Sequence, residues 1–224
     1  MVSIEGPRRR SDISYQLSQL KGFTDPDPSL EQVPTPPESA SDLLWEAAMR
    51  GDISGKRVVD LGCGPGRLAI GAALLGARSV TGVDWDPGAL AVARENLRDL
   101  RKAGLLKMRI RWLASDVAKL PPLEAETVLM NPPFGVQKKG ADRPFLEAAF
   151  SILMEGGGIY FFAAPGSQTF IERSALTRDV KVEDHSRSDW PFPHTFKHHT
   201  QRMGRVTVDR WILRRERTCR KMQK

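Results

Sequence analysis

Cysteine is almost missing: Cys63 and Cys219 are the only two in 224 residues. That is too few for a disulfide framework or for a zinc site built from four thiolates, and it suits a reducing compartment. Long apolar runs are missing too. No stretch approaches the roughly 18 residues of a membrane span. The opening Met1-Val2-Ser3-Ile4-Glu5 lacks the apolar run of a secretory signal, so a cytoplasmic protein is expected. His194, His198 and His199 stand beside no Cys or carboxylate cluster at ligand spacing, so no metal is expected. There is no internal repeat, and the Pro-rich stretch at 26–37 is too short for a low-complexity domain. What remains, 40% apolar and 27% charged residues, is the composition of one ordinary globular domain.

The net charge of +7 is unevenly placed. Residues 197–224 hold ten Lys and Arg against Asp209 and Glu216, so the first 196 residues sum to −1. A basic carboxyl end attracts phosphate backbones by counterion release, whatever their sequence. A solvated tail is the plainer alternative.

Residues 1–30 are polar, with Arg8-Arg9-Arg10 and Asp25-Pro26-Asp27-Pro28, and read as an extended, poorly packed segment. Residues 31–216 read as the folded domain and 217–224 as a basic tail. Thr35-Pro36-Pro37-Glu38 has the form of a capping box before a helix that stops at Gly51. From Arg57 strands and helices alternate, which predicts an α/β fold: a doubly wound, mostly parallel sheet with helices on both faces. Strands are expected at 58–61, 79–84, 108–116, 127–131 and 159–163. Helices are expected at 68–75, 87–102, 142–153 and 168–176. The segments 180–183 and 206–213 close the layout as an antiparallel pair.

The chemistry is written in the strand-to-helix turns. Asp60-Leu61-Gly62-Cys63-Gly64-Pro65-Gly66 lies between the first strand and its helix, where glycines let backbone amides approach a nucleotide-like ligand at a helix amino end. The spacing is G-x-G-x-G, not the G-x-x-G ending of the dinucleotide fingerprint, which disfavours hydride-transfer cofactors. Asp84 ends the second strand and is assigned to a ribose diol, leaving Asp86 to cap the helix opened by Pro87. Asp116, with the Val117 amide, sits where an adenine edge can be read, with a helix cap as its rival role. Asn131-Pro132-Pro133-Phe134 follows the fourth strand. Its prolines stiffen the turn and free the Pro132 carbonyl to accept a hydrogen bond, Asn131 supplies a second acceptor, and Phe134 a stacking face. Two acceptors on an aromatic amine favour a tetrahedral, nucleophilic nitrogen. The five tryptophans read as core or sheet-face residues, and Cys63 as a packed loop residue.

These residues resemble S-adenosylmethionine-dependent methyltransferases of planar nitrogen. The chain is most similar to the small-subunit ribosomal RNA adenine-N6 methyltransferases of eukaryotes and their archaeal relatives. Leu30-Glu31-Gln32-Val33-Pro34-Thr35, Asp60 to Gly66, Val83-Asp84, Ser115-Asp116-Val117, Met130 to Gly135, Phe196-Lys197-His198-His199 and Val206-Thr207-Val208-Asp209 carry the resemblance. It implies the class I methyltransferase fold, S-adenosyl-L-methionine as cofactor, and methyl transfer to adenosine N6 of structured RNA. By the same resemblance Gln32 and Thr35 would close over the methionine part and Asp60, Gly62, Gly64, Pro65 and Gly66 would surround the cofactor. Asp84 would hold its ribose, and Asp116 and Val117 its adenine. Asn131 to Phe134 would grip the target base, and Phe196, Lys197 and His199 would contact RNA. The eukaryotic relatives work with a small activator protein pairing with a sheet edge, and the third strand is the candidate edge here. Two departures from the family pattern are Val33 in place of a tyrosine and the His-His pair after Lys197. Rival readings are a protein glutamine-N5 methyltransferase, a DNA adenine methyltransferase, and a non-catalytic RNA-binding subunit with a vestigial pocket.

Overall fold

The computed structural model describes residues 7, 9–24, 26–27, 31–32, 34–135, 137–193 and 203–217. Val33, Cys219, His194, His198 and the expected RNA contacts Phe196, Lys197 and His199 lie outside the described residues. Among the described residues the chain forms α1 (Arg10–Ser18), α2 (Pro37–Met49), β1 (Arg57–Leu61), α3 (Arg67–Leu74), β2 (Ser79–Asp84), α4 (Pro87–Lys102), β3 (Ile110–Ala114), β4 (Ala125–Met130), α5 (Arg143–Ile152), β5 (Leu153–Ala163), α6 (Gln168–Leu176), β6 (Val180–Pro193) and β7 (Met203–Arg215).

The seven strands make one sheet in the order β3-β2-β1-β4-β5-β7-β6. β1 to β5 are parallel, and β7 and β6 join antiparallel. β1 is buried on both faces through Val58, Val59, Asp60 and Leu61, as a central parallel strand covered by helices must be. One apolar layer lies between the sheet and α1 to α4, the other between the sheet and α5 and α6. This is the doubly wound α/β architecture expected from the sequence.

Local chemistry explains the main elements. Pro87 opens α4 at its first position, and Asp86 caps it by accepting from Gly88 N at 2.7 Å. Leu90, Ala93, Leu97 and Leu100 then face the sheet at helical spacing. α3 is made of small and apolar residues, and Gly71 has no room for a Cβ because Leu44 of α2 packs directly on it. At the lower end of β5 and β7, Arg214 holds Asp52 at 2.9 Å and Glu183 at 3.2 Å. Tyr160 donates its hydroxyl to the same Asp52. Further along β7, Asp209 is fully buried but paired with Arg187 at 2.6 Å and lies 3.2 Å from the His185 ring, and the hydrogen bond from the Arg187 guanidinium, with a second contribution from His185, holds its carboxyl below the usual carboxylate range.

At the level of its elements, the structure departs from the sequence reading in three places. Residues 10–18, expected to be poorly packed, form α1, with Ile13 and Leu17 completely buried against α2 and α3. Two apolar residues one turn apart suffice because tertiary contacts outweigh weak local propensity. The capping box at Thr35 does not form: Pro36 is the cap residue and no side chain caps α2. β5 to β7 are longer than expected, since β5 begins at Leu153 and the hairpin spans 180–193 and 203–215. Alternating polar residues in those strands masked their length.

Candidate active site

β1 and β4 are neighbours, but the chain leaves them toward opposite faces of the sheet. Their carboxyl ends therefore open a crevice at the point where the winding reverses. A cavity of about 430 Å³ fills it. The glycine loop forms one wall, Asp84, Asp116 and Val117 line a second, and Gln32, Thr35, Asn131 and Pro133 face them. Of the expected cofactor residues, only Gly66 is not on the wall. It is the cap residue of α3 at φ +90° and packs against Trp112.

The glycines are required here. Gly62 and Gly64 have φ of +70° and +51°, and a Cβ on them would come within 2.7 Å of the Phe145 ring and 2.8 Å of the Phe23 ring. The Gly62 and Cys63 amides both donate to Val83 O, locking the loop onto β2. Gly64 N donates to Asp84 Oδ2 at 2.7 Å, and Asp86 N to Asp84 Oδ1 at 3.0 Å. Burial raises the Asp84 pKa despite these amides. Asp60 is 1% exposed and accepts from Ala69 N, in the first turn of α3, at 2.8 Å. Desolvation pushes its pKa up to about 8, and its second oxygen has no hydrogen-bond partner among the described residues. Burial also pushes the Cys63 thiol up, which fits a packed loop residue and not a nucleophile. Asp116 is exposed at the rim and accepts from Ala118 N at 2.9 Å, so it does cap the short 3-10 turn after β3.

The second half of the site is a tie between two distant segments. Asn131 Nδ2 donates to Thr35 Oγ1 at 2.9 Å. Glu31 accepts from Gly135 N at 3.0 Å and Gln137 N at 2.6 Å. Residues 31–35 thus hold the Asn131-Pro132-Pro133-Phe134 turn at both of its ends. Gln32 spans toward the ribose side, donating to Asp86 Oδ2 at 2.8 Å and accepting from Asp27 N at 2.8 Å. Arg67 donates to the Thr35 carbonyl, and burial lowers its pKa.

Two members of the proline turn lie behind the cavity wall. Pro132 is buried, though its carbonyl accepts no hydrogen bond among the described residues. Phe134 is half-buried and packs on Trp190 with ring centroids 6.1 Å apart and planes at 58°. Trp190 is wedged in turn against Phe162 at 4.6 Å.

Several lining residues were missed from sequence: Phe23, Trp85, Phe145, Lys21 and Arg67. Trp85 also corrects a sequence expectation, since at 61% exposed it is no core residue. Its position beside Asp84 was the available signal; Phe23 and Phe145 had none, because folding alone brings them to the loop.

The fold and this crevice have counterparts. Residues 37–177 match the family model of the methyltransferase small domain. The chain is 34% identical over 197 residues to the rRNA N(6)-adenosine-methyltransferase METTL5 of Danio rerio, covering 86% of this chain and 92% of that protein. The chain belongs to the METTL5 family of methyltransferases. Mettl5 of Drosophila melanogaster is 32% identical, covering 87% of this chain and 91% of its own. A candidate RNA methyltransferase of Pyrococcus horikoshii superposes with a TM-score of 0.82 at 37% identity, covering 94% of this chain and 99% of that one.

Proposed function

We propose that the protein transfers a methyl group from S-adenosyl-L-methionine to adenosine N6 in RNA, with small-subunit ribosomal RNA as substrate and the cytoplasm as its place of action. The observation that carries this reading is the facing of the two turns. Asn131 and Pro133 of the proline turn stand across one cavity from a glycine loop whose neighbouring strand ends in Asp84, a ribose-ready carboxylate. The activity for which the METTL5 relatives are named supports it.

The residues fit the cofactor. A volume of about 430 Å³ lies within the range of small-molecule pockets. The positive-φ glycines keep the loop free of side chains where Phe145 and Phe23 close on it, and the second Asp60 oxygen has no hydrogen-bond partner among the described residues. Gly62, Gly64 and Pro65 would lie along the cofactor, Asp84 at its ribose, Asp116 and Val117 at its adenine, and Gln32 and Thr35 over its methionine part. Bound there, S-adenosylmethionine supplies a methyl on a sulfonium, so no metal or strong base is called for.

The chain's own work is positioning. Thr35 commits the Nδ2 of Asn131, which fixes the amide and identifies Oδ1 as the acceptor for one amine hydrogen. The Pro132 carbonyl takes the other. Phe134, packed on Trp190 behind the cavity wall, buttresses the turn against which a base taken out of its stack would lie. Phe196, Lys197 and His199 are assigned to RNA on their sequence context. A small activator adding a strand to β3 belongs to the same reading, supported by the place of β3 at the end of the sheet.

The test is methyl transfer from labelled cofactor to ribosomal RNA of cells lacking the enzyme. Wild-type protein is expected to yield N6-methyladenosine in the small-subunit RNA. Asn131→Ala is expected to lose about 100-fold or more in rate, the scale of removing one preorganised polar contact to the reacting group, with cofactor affinity little changed. Label in protein only, or full activity in Asn131→Ala, overturns the reading.

A further inference from the structure

A second concave surface lies away from the cavity, toward the amino ends of the parallel strands. The outer face of α4 and the edge strand β3 enclose a groove of about 650 Å³. Arg94, Arg98, Arg101, Lys102, Lys107 and Arg109 line it, all exposed, above an apolar floor that includes Leu106 and Trp112. No carboxylate lines it.

The charge of this region is hidden in the average. Residues 1–196 sum to −1, yet residues 94–111 contain seven Lys and Arg against Glu95 and Asp99. Both carboxylates are already engaged, by Lys21 at 2.6 and 3.2 Å and by Arg98 at 3.6 and 3.9 Å. Arg94, Arg101, Lys102, Lys107 and Arg109 form no ion pair among the described residues. An ordinary solvated helix face interleaves both signs so that residues one turn apart attract. Arg94, Arg98 and Arg101 instead repeat one sign along about 10 Å of helix, and Lys107 and Arg109 face them from the β3 side. Such single-signed crowding works against the fold and favours an anionic ligand with regularly spaced charges.

We propose that this groove is a second RNA-contact surface, which grips backbone phosphates flanking the target nucleotide while the cavity holds the base. The inference rests on the reading of the protein as an RNA methyltransferase. β3 joins the two places: it starts in the groove at Ile110, and Asp116, just beyond its end, is on the cavity wall. Six residues of extended chain span roughly 20 Å, a distance one folded RNA bridges easily. Guanidinium groups pair bidentately with phosphate, and no sequence preference is required of them. An activator strand added to the β3 edge would bind through that edge's backbone hydrogen bonds and would leave the cations of α4 and of residues 107–109 free for phosphate.

The test uses the full-length protein and a transcribed fragment of small-subunit ribosomal RNA, with affinity read by fluorescence anisotropy across a salt series. Replacing Arg101, Lys102, Lys107 and Arg109 together by Ala is expected to weaken binding about tenfold or more near physiological salt. The slope of log affinity against log salt is expected to become shallower by about 3, because four phosphate contacts are lost. KM for RNA rises, while kcat at saturating RNA, cofactor affinity and melting temperature stay put. A companion variant with Arg101→Lys and Arg109→Lys is expected to keep the wild-type slope, which separates charge from fold.

If wild type methylates RNA and the Ala variant matches it in affinity and slope, the groove inference falls and the active-site reading stands. The inference is equally overturned if the variant binds RNA normally but loses stoichiometric capture of a purified partner protein. If wild type neither binds nor methylates RNA, both readings fall together.

Discussion

The residues that matter most are those whose local geometry tolerates no alternative. Gly62 combines a φ of +70° with a Phe145 ring atom 2.7 Å from where a Cβ would stand. Gly62→Ala is expected to weaken cofactor binding at least tenfold by titration calorimetry. Pairing it with Phe145→Ala will recover only part of that loss, because the backbone strain of about 1–2 kcal/mol persists after the clash is gone. Full recovery in the double variant would show that crowding, not conformation, requires the glycine. Gly62, Asp84 and Asn131 were legible in the sequence because each belongs to a turn whose chemistry is local. Phe145, Phe23 and Glu31 were not: Glu31 reaches its amide partners across more than 100 residues of chain, and no spacing rule encodes such a contact.

Among elements, the least legible was the amino-terminal segment. α1 offers only Ile13 and Leu17 to the core, too little periodicity to stand out in a polar stretch. One amide side chain holds the segment leading out of α1. Asn96 of α4, 3% exposed, accepts from Lys21 N at 2.9 Å and donates to Lys21 O and Pro65 O, each at 3.0 Å. It thereby joins the segment bearing Phe23, the glycine loop and a helix of the sheet layer. Asn96→Ala leaves buried polar atoms unpaired, a cost of about 2 kcal/mol. The melting temperature is expected to drop by roughly 4–8 °C, with weaker cofactor binding. An unchanged melting temperature in scanning fluorimetry would mean that α1 packing alone secures the segment. The strands of the parallel half were readable from continuous apolar runs, whereas the β6–β7 pair was readable only at its inner segments and not at its full length, because half of each strand faces solvent and carries charge.

For the molecule as a whole, the buried Asp60 sets a pH dependence. Its pKa is pushed up to about 8 in the folded protein, against 3.8 for an ordinary Asp. Between those values the folded state keeps a proton that the unfolded chain has released. Stability therefore declines as pH rises from about 4 to about 8, and this contribution levels off above that. The slope approaches 1.4 kcal/mol per pH unit at most. Asp60→Asn keeps an acceptor for the Ala69 amide and removes the titrating group, so its urea midpoint is expected to vary less from pH 5 to 8 than that of wild type. Parallel curves for the two proteins would contradict this.

The grip of residues 31–35 on the proline turn has a kinetic corollary. Glu31 and Thr35 sit on one short stretch and fasten opposite ends of the turn, so the cover of the donor chamber and the clamp on the acceptor share a single hinge. Loosening either tie is therefore expected to loosen both sides together, so that Glu31→Gln weakens retention of the spent nucleoside and of the modified strand in parallel, as product-inhibition constants for the two will show.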